Sequence, residues 1–389
     1  MPWFCGTNQP PRSTRAVLWI VLSLFGGLGA AALIATPAVS QSPPAIVVTF
    51  EEVARVPGQA SGVTVAGKRA YVVGRTLDIV DVTDPADAAR LGSVALPGRG
   101  ERVDVAGDRA YVADGRQGLR IIDVADPAHP REVNHVPGDY TWDVEVFEPW
   151  AFTANGTFGF QIIDLTDPTV PPRLINWIDE RYAPVALARA DRLLYVAGWQ
   201  GGAEILDPST VSEANGFVAE TVASVTAPWP VRDVAVAGDR AYLLLTGWDP
   251  YPAPGTDGRH NALAVVDATD PVSPTIQAIL EGMQDGHAVA AAAGLAYVAD
   301  GRGGLRAIDV ADRRDPRLAG TFAAPDARDV ALAGENVYVA DREQGLIILR
   351  PHIGTPVPPT ATSTAAPTAT ATPVHGAAYL PLGYNKAGR

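Results

Sequence analysis

The sequence predicts an all-β fold: a seven-bladed β-propeller of four-stranded antiparallel blades, closed by an N-terminal strand that completes the last blade. Three observations carry this. A motif is copied seven times, an unpaired strand-like segment precedes the first copy while the last copy lacks its fourth strand, and no helical periodicity is sustained outside the N-terminal segment.

The copies are plainest in SGVTVAGKRAYVVG (61–74), ERVDVAGDRAYVAD (101–114), VRDVAVAGDRAYLLL (231–245) and ARDVALAGENVYVAD (327–341). Taking the aromatic as marker gives Tyr71, Tyr111, Phe152, Tyr195, Tyr242, Tyr297 and Tyr338, spaced by 40, 41, 43, 47, 55 and 41 residues. One such period is enough for four short strands. In the second copy these are Val103 to Ala106, a Gly-Asp-Arg turn, Ala110 to Ala113, a glycine-containing loop, Leu119 to Val124 ending in Asp-Pro, and the more polar Arg131 to Val136. Small residues in the first two strands suit the crowded centre of a propeller, and the lack of intervening helices excludes parallel βαβ winding. The seventh copy stops after its third strand, Leu346 to Leu349. Phe50 to Gly58 resembles a fourth strand, so pairing the two closes the ring and removes two open edges.

Charge and cysteine narrow the function classes. Residues 1–40 and 351–389 hold no Asp or Glu, and their cations are Arg12, Arg15, Lys386 and Arg389. Of the chain's 30 Lys and Arg, 26 therefore face all 43 carboxylates between residues 41 and 350, a net charge of −17. Such a body repels nucleic acid and anionic membrane, so no nucleic-acid partner is expected. Residues 16–35 form an uncharged apolar run behind Arg12 and Arg15, as in an export signal, with small residues at Ala38-Val39-Ser40 ahead of Gln41. The run is also long enough to stay as a membrane anchor. The single cysteine, Cys5, precedes it, which leaves a cleaved form without disulfides, thiolate metal sites or a cysteine nucleophile. The expected organisation is a signal peptide or anchor at 1–40, the propeller at 41–350, a Thr/Ala/Pro-rich disordered linker at 351–376 and a short tail at 377–389. The expected location is extracellular or at the cell surface, with membrane or envelope attachment through the N-terminal segment or the tail.

Recurrent polar groups are structural, because a catalytic group is needed once. Asp81, Asp123, Asp164, Asp267 and Asp309 each end a third strand, where a carboxylate can accept turn amides. Departures from the repeat say more about function. The starts of first strands and the loops between second and third strands lie on one rim of the channel. That rim gathers Arg102, Asp143, Arg232, Asp233, His287, Arg328 and Asp329 from the former, and Asp114, Arg116, Trp199, Gln200, Trp248, Asp249, Asp300, Arg302, Asp341 and Arg342 from the latter. A long insertion, Gly247 to Asn261, adds His260. Tryptophan beside Asp and Arg gives a sugar or peptide an apolar face and orienting charges. Departures concentrate in blades three to five, where specific recognition is expected. The alternatives are that Trp199 and Trp248 merely cover the insertion, that the protein is a secreted hydrolase or lyase using rim carboxylates such as Asp143 and Asp233 or a bound metal, or that it is a passive part of the envelope. Ordinary ion pairing of Asp143 and Asp233 with Arg232 and Arg102 is preferred to catalysis. No catalytic, haem or metal motif is present, and no cofactor or metal is expected.

The third strands Leu77-Asp78-Ile79-Val80-Asp81, Leu119-Arg120-Ile121-Ile122-Asp123, Phe160-Gln161-Ile162-Ile163-Asp164 and Leu263-Ala264-Val265-Val266-Asp267 resemble the LVIVD repeat of bacterial and archaeal surface proteins. The resemblance covers about residues 50–350 and implies a propeller at the cell surface. Copies four and five depart from it, at Ala203-Glu204-Ile205-Leu206-Asp207-Pro208 and at the insertion. Together these readings lead to a non-catalytic binding or scaffold module for an extracellular protein or glycan.

Overall fold

The computed structural model describes residues 46–138, 140–166, 173–177, 183–199, 201–248 and 259–355. The apolar segment at 16–35, the tail, most of the linker and the centre of the insertion lie outside the described residues.

The described chain begins with β1 (Val47–Val56). Blade 1 is β2 (Gly62–Ala66), β3 (Arg69–Val73), β4 (Thr76–Asp81) and β5 (Ala89–Ala95), and blade 2 is β6 (Arg102–Ala106), β7 (Arg109–Ala113), β8 (Leu119–Asp123) and β9 (Arg131–Val136). Blade 3 is β10 (Asp143–Phe147), β11 (Trp150–Ala154), β12 (Phe160–Asp164) and β13 (Arg173–Trp177); blade 4 is β14 (Pro184–Ala190), β15 (Leu193–Gly198), β16 (Gly202–Asp207) and β17 (Glu220–Thr226). Blade 5 is β18 (Val231–Ala237), β19 (Arg240–Trp248), β20 (Arg259–Asp267) and β21 (Thr275–Glu281); blade 6 is β22 (Ala288–Ala292), β23 (Leu295–Ala299), β24 (Leu305–Asp309) and β25 (Arg317–Phe322). Blade 7 is β26 (Ala327–Ala333), β27 (Asn336–Asp341) and β28 (Gly345–Gly354), with β1 as its fourth strand. All seven sheets are antiparallel and four-stranded, as the sequence predicts.

The closing pair runs from Val47 opposite Gly354 to Val56 opposite Leu346. Strand β28 thus continues four residues past Arg350, into the stretch read from sequence as the start of the linker. The insertion in blade 5 is also shorter as a loop than its composition suggests. Strands β19 and β20 stay paired out to Trp248 and Arg259, because backbone bonding needs no apolar alternation once two neighbours are in register.

Seven apolar clusters hold the ring, one at each junction between neighbouring blades, and each contains one of the seven marker aromatics. Tyr71 joins blades 1 and 2, Tyr111 blades 2 and 3, Phe152 blades 3 and 4, and Tyr195 blades 4 and 5. Tyr242, Tyr297 and Tyr338 do the same at the next three junctions, the last between blades 7 and 1. None of the seven is more than 5% exposed. A large ring on the second strand fills the wedge between two sheets that splay apart, which explains why this position repeats. The junction between blades 7 and 1 is packed like the others, so β1 makes a true closure.

Local devices repeat with the blades. Asp81, Asp123, Asp164, Asp207, Asp267 and Asp309 each accept the amide of the residue two positions on, at 2.9 to 3.1 Å. The expected structural role of these carboxylates is what the turns show. Gly118, Gly304 and Gly345 open their third strands at φ of 78°, 75° and 86°, and a Cβ there would meet the carbonyl oxygen of Val136, Phe322 or Val56 at 2.1 to 2.3 Å. The fourth strand can cross this close only over glycine.

Candidate functional site

Backbone register makes Gly62, Arg102, Asp143, Ala186, Asp233, Ala288 and Asp329 equivalent positions, one from each blade, at the start of the innermost strands. One arginine therefore meets three carboxylates near the axis of the ring. Arg102 pairs with Asp233 at 3.3 Å and with Asp329 in a still shorter contact. The second oxygen of each carboxylate reaches the next blade: Asp143 accepts Leu187 N at 2.8 Å, Asp233 accepts Val289 N at 2.7 Å and Asp329 accepts Val63 N at 2.9 Å. Asp104, two positions further along β6, caps Val146 N in the same way at 2.8 Å. Burial raises all three carboxyls, with Arg102 opposing: Asp143 to about 7, Asp329 to about 6, and Asp233 in the same direction. The cluster ties blades together across the centre of the ring.

Above it, the mouth of the channel opens into a cavity of about 710 Å³. Its two sides differ. Blades 3 and 4 contribute aromatic rings: Tyr140 and Trp142 before β10, Phe158 in the loop after β11, and Trp199 after β15. Tyr140 and Trp142 lie ring against ring at 4.4 Å, and Trp142, Phe158 and Trp199 are 40%, 48% and 50% exposed. Blades 2, 5 and 7, together with the loops beside them, contribute Arg99, Arg232, Arg328 and Arg342. Cations thus collect at the mouth of a protein whose body is strongly acidic.

His287, just before β22, is wedged between two of these arginines. Arg232 points to its Nδ1, Arg328 Nη1 lies 2.7 Å from its Nε2, and Asp285 Oδ2 lies 3.0 Å from the same Nε2. Burial, then the charges of Arg232 and Arg328, hold the imidazole down at about 4, so it is neutral at physiological pH. A neutral ring has one N–H and one lone pair. If Nδ1 accepts from Arg232, Nε2 donates to Asp285 and Arg328 Nη1 is left facing a donor. Arg328 is anchored otherwise through Asp326, at 2.7 and 2.9 Å. Arg99 donates Nε to Ser61 Oγ at 2.9 Å, and among the described residues its terminal nitrogens have no hydrogen-bond partner. Burial and the neighbouring charge of Arg342 lower the affinity of Arg99 for its proton. Arg342 has an ion pair with Asp326 at only 4.0 Å. Tyr140 donates to Glu101 at 3.0 Å, and burial with that carboxylate pushes the phenol up to about 12.

The residues expected at the rim separate into groups. Trp199, Arg232 and His287 line the cavity together. Asp143 and Asp233 are buried beneath it, 7% and 3% exposed. The ion pairing expected for Asp233 is with Arg102, while Arg232 turns to Asp285 at 3.4 Å. His260 lies in β20, outside the lining, with its ring stacked on Trp229 at 4.4 Å and 10°. Gln200, Asp249 and the side chain of Trp248 lie outside the described residues. Sequence reasoning missed Arg99, Tyr140, Trp142 and Phe158. The signal for Tyr140 and Trp142 was present, because the third copy puts two aromatics just ahead of its first strand. Recognition residues were expected mainly in blades three to five, yet Arg99, Arg328 and Arg342 come from the other side of the ring.

The LVIVD repeat model matches residues 57–95, 97–137, 138–175, 285–324 and 324–349. LVIVD repeats are present at these five places in the chain. The five matches fall on blades 1, 2, 3, 6 and 7 of the propeller, and blades 4 and 5 are the two copies whose third strand or loop departs from the pattern. Among solved structures, the WD40 domain of Neurospora crassa Pan2 is 11% identical with a TM-score of 0.58, over 77% of this chain and 95% of that one. The computationally designed Ika8 protein is 8% identical with a TM-score of 0.52, over 77% and 98%. At these identities the likeness concerns the fold alone. No curated protein matches the sequence.

Proposed function

We propose that this LVIVD-repeat propeller is an exported, non-catalytic binding or scaffold module that recognises an extracellular protein or glycan at the mouth of its channel. The observation that carries the reading is the cavity of about 710 Å³ with Trp142, Phe158 and Trp199 left partly open to solvent. Its volume falls within the roughly 300–1,000 Å³ of small-ligand sites. Exposed aromatic faces gathered in a concave site are a loss to the free protein that a bound ligand recovers. The channel carboxylates, which a hydrolase or lyase would need free, already accept backbone amides and the Arg102 guanidinium. The apolar run at 16–35 behind Arg12 and Arg15 supports export.

Intrinsic tryptophan fluorescence tests the reading. Glycans and peptides titrated into the purified protein are expected to include at least one that changes the emission saturably, with the response weakened about tenfold or more in Trp199→Ala. A ligand whose affinity is unchanged in Trp199→Ala would place the site elsewhere.

A further inference from the structure

We propose that the mouth pocket takes a small acidic saccharide, with sugar faces against Trp142 and Trp199 and a carboxylate among Arg99, Arg328 and Arg342. This rests on the binding reading above and adds the class of ligand. Three features of the pocket select it.

The first is a shortage of acceptors. Arg99 leaves its terminal nitrogens without a hydrogen-bond partner among the described residues, Arg342 has one long ion pair, and Arg232 and Arg328 both point at the neutral His287 ring, which offers a single lone pair. Guanidinium forks that converge without enough acceptors suit a planar carboxylate, which accepts two parallel N–H groups. The second is sidedness. The rings come from blades 3 and 4 and Arg99, Arg328 and Arg342 from the opposite arc, so a ligand must offer a flat C–H face at one end and an anion at the other, as a uronic acid does. The third is what the site excludes. A body of net charge −17 repels a long polyanion beyond the pocket itself, which favours a short chain or a chain end. An extended peptide would want free amides on the inner strand edges. Four of these, at Val63, Val146, Leu187 and Val289, are already capped by Asp329, Asp104, Asp143 and Asp233.

The test is calorimetric titration of the purified full chain with trigalacturonate, its methyl ester, a neutral trisaccharide of equal length, a triglutamate peptide and polygalacturonate. Thermal unfolding checks each variant. Trigalacturonate is expected to bind best, and esterification, Arg99→Gln and Arg342→Gln each to weaken it about tenfold or more. Rising salt should weaken it further. Equal affinity for the ester or the neutral sugar would overturn the carboxylate site and leave the binding reading standing. Tighter binding of triglutamate would overturn the saccharide class, and tighter binding of the polymer per site would overturn the preference for short chains. Unchanged affinity in both folded arginine variants would overturn the site. A folded protein that binds no saccharide and no peptide would overturn this inference and the binding reading together.

Discussion

At the scale of single residues, Arg102 has the clearest structural consequence. It neutralises buried carboxylates from three other blades, and removing it leaves those carboxylates without a counter-charge. Asp143 and Asp329 titrate near 7 and 6 in the fold, above the ordinary carboxylate value near 4. A raised carboxyl contributes stability that is complete below about pH 4 and is lost as pH rises through the folded value. Because Arg102 holds these values down, its loss extends that decline to higher pH. Arg102→Met should therefore lower stability by about 3–5 kcal/mol at pH 8 and by less near pH 5, where Asp143 and Asp329 are protonated in both proteins. Denaturant unfolding at the two pH values measures this. An equal loss at both would mean that Arg102 acts by packing and not by charge.

At the scale of elements, the blade is legible in sequence because its requirements are local and repeated. The marker ring fills a wedge, the terminal aspartate binds its own turn, and the glycine ahead of the third strand admits a crossing carbonyl. Each leaves a residue type at a fixed offset in copy after copy, and the displaced β1 could be recognised by the same logic. The ends of β19 and β20 were not legible, since Gly247-Trp248 and Arg259-His260-Asn261 have no alternation and are held by pairing alone. Gly345 tests the closing element. Its φ of 86° and the Val56 oxygen 2.3 Å from a would-be Cβ make Gly345→Ala strained and force β1 away from β28. A loss of about 1–3 kcal/mol is expected, with faster hydrogen exchange in β1 and β28 than in blades 2 to 4. A loss spread evenly over all blades would contradict a seam at that point.

At the scale of the whole molecule, the site is a product of ring closure. Arg99, Arg232, Arg328 and Arg342 come from segments that are far apart along the chain, and no local pattern announces that their guanidinium groups converge. Trp199, Arg232 and His287 could be anticipated because the strand starts and second loops of a propeller share one rim. Arg328 and Arg342 could be placed on the rim in the same way but Arg99 could not, and only the assembled ring shows which arginines lack enough acceptors. The aromatic and cationic halves therefore face each other only in the closed seven-bladed form. A crystal structure of the protein soaked with trigalacturonate tests this most directly. The sugar is expected in the channel mouth, with a ring over Trp142 or Trp199 and a carboxylate within hydrogen-bond distance of Arg99, Arg328 or Arg342; an empty mouth with the sugar bound on the opposite face or an outer blade edge would contradict this.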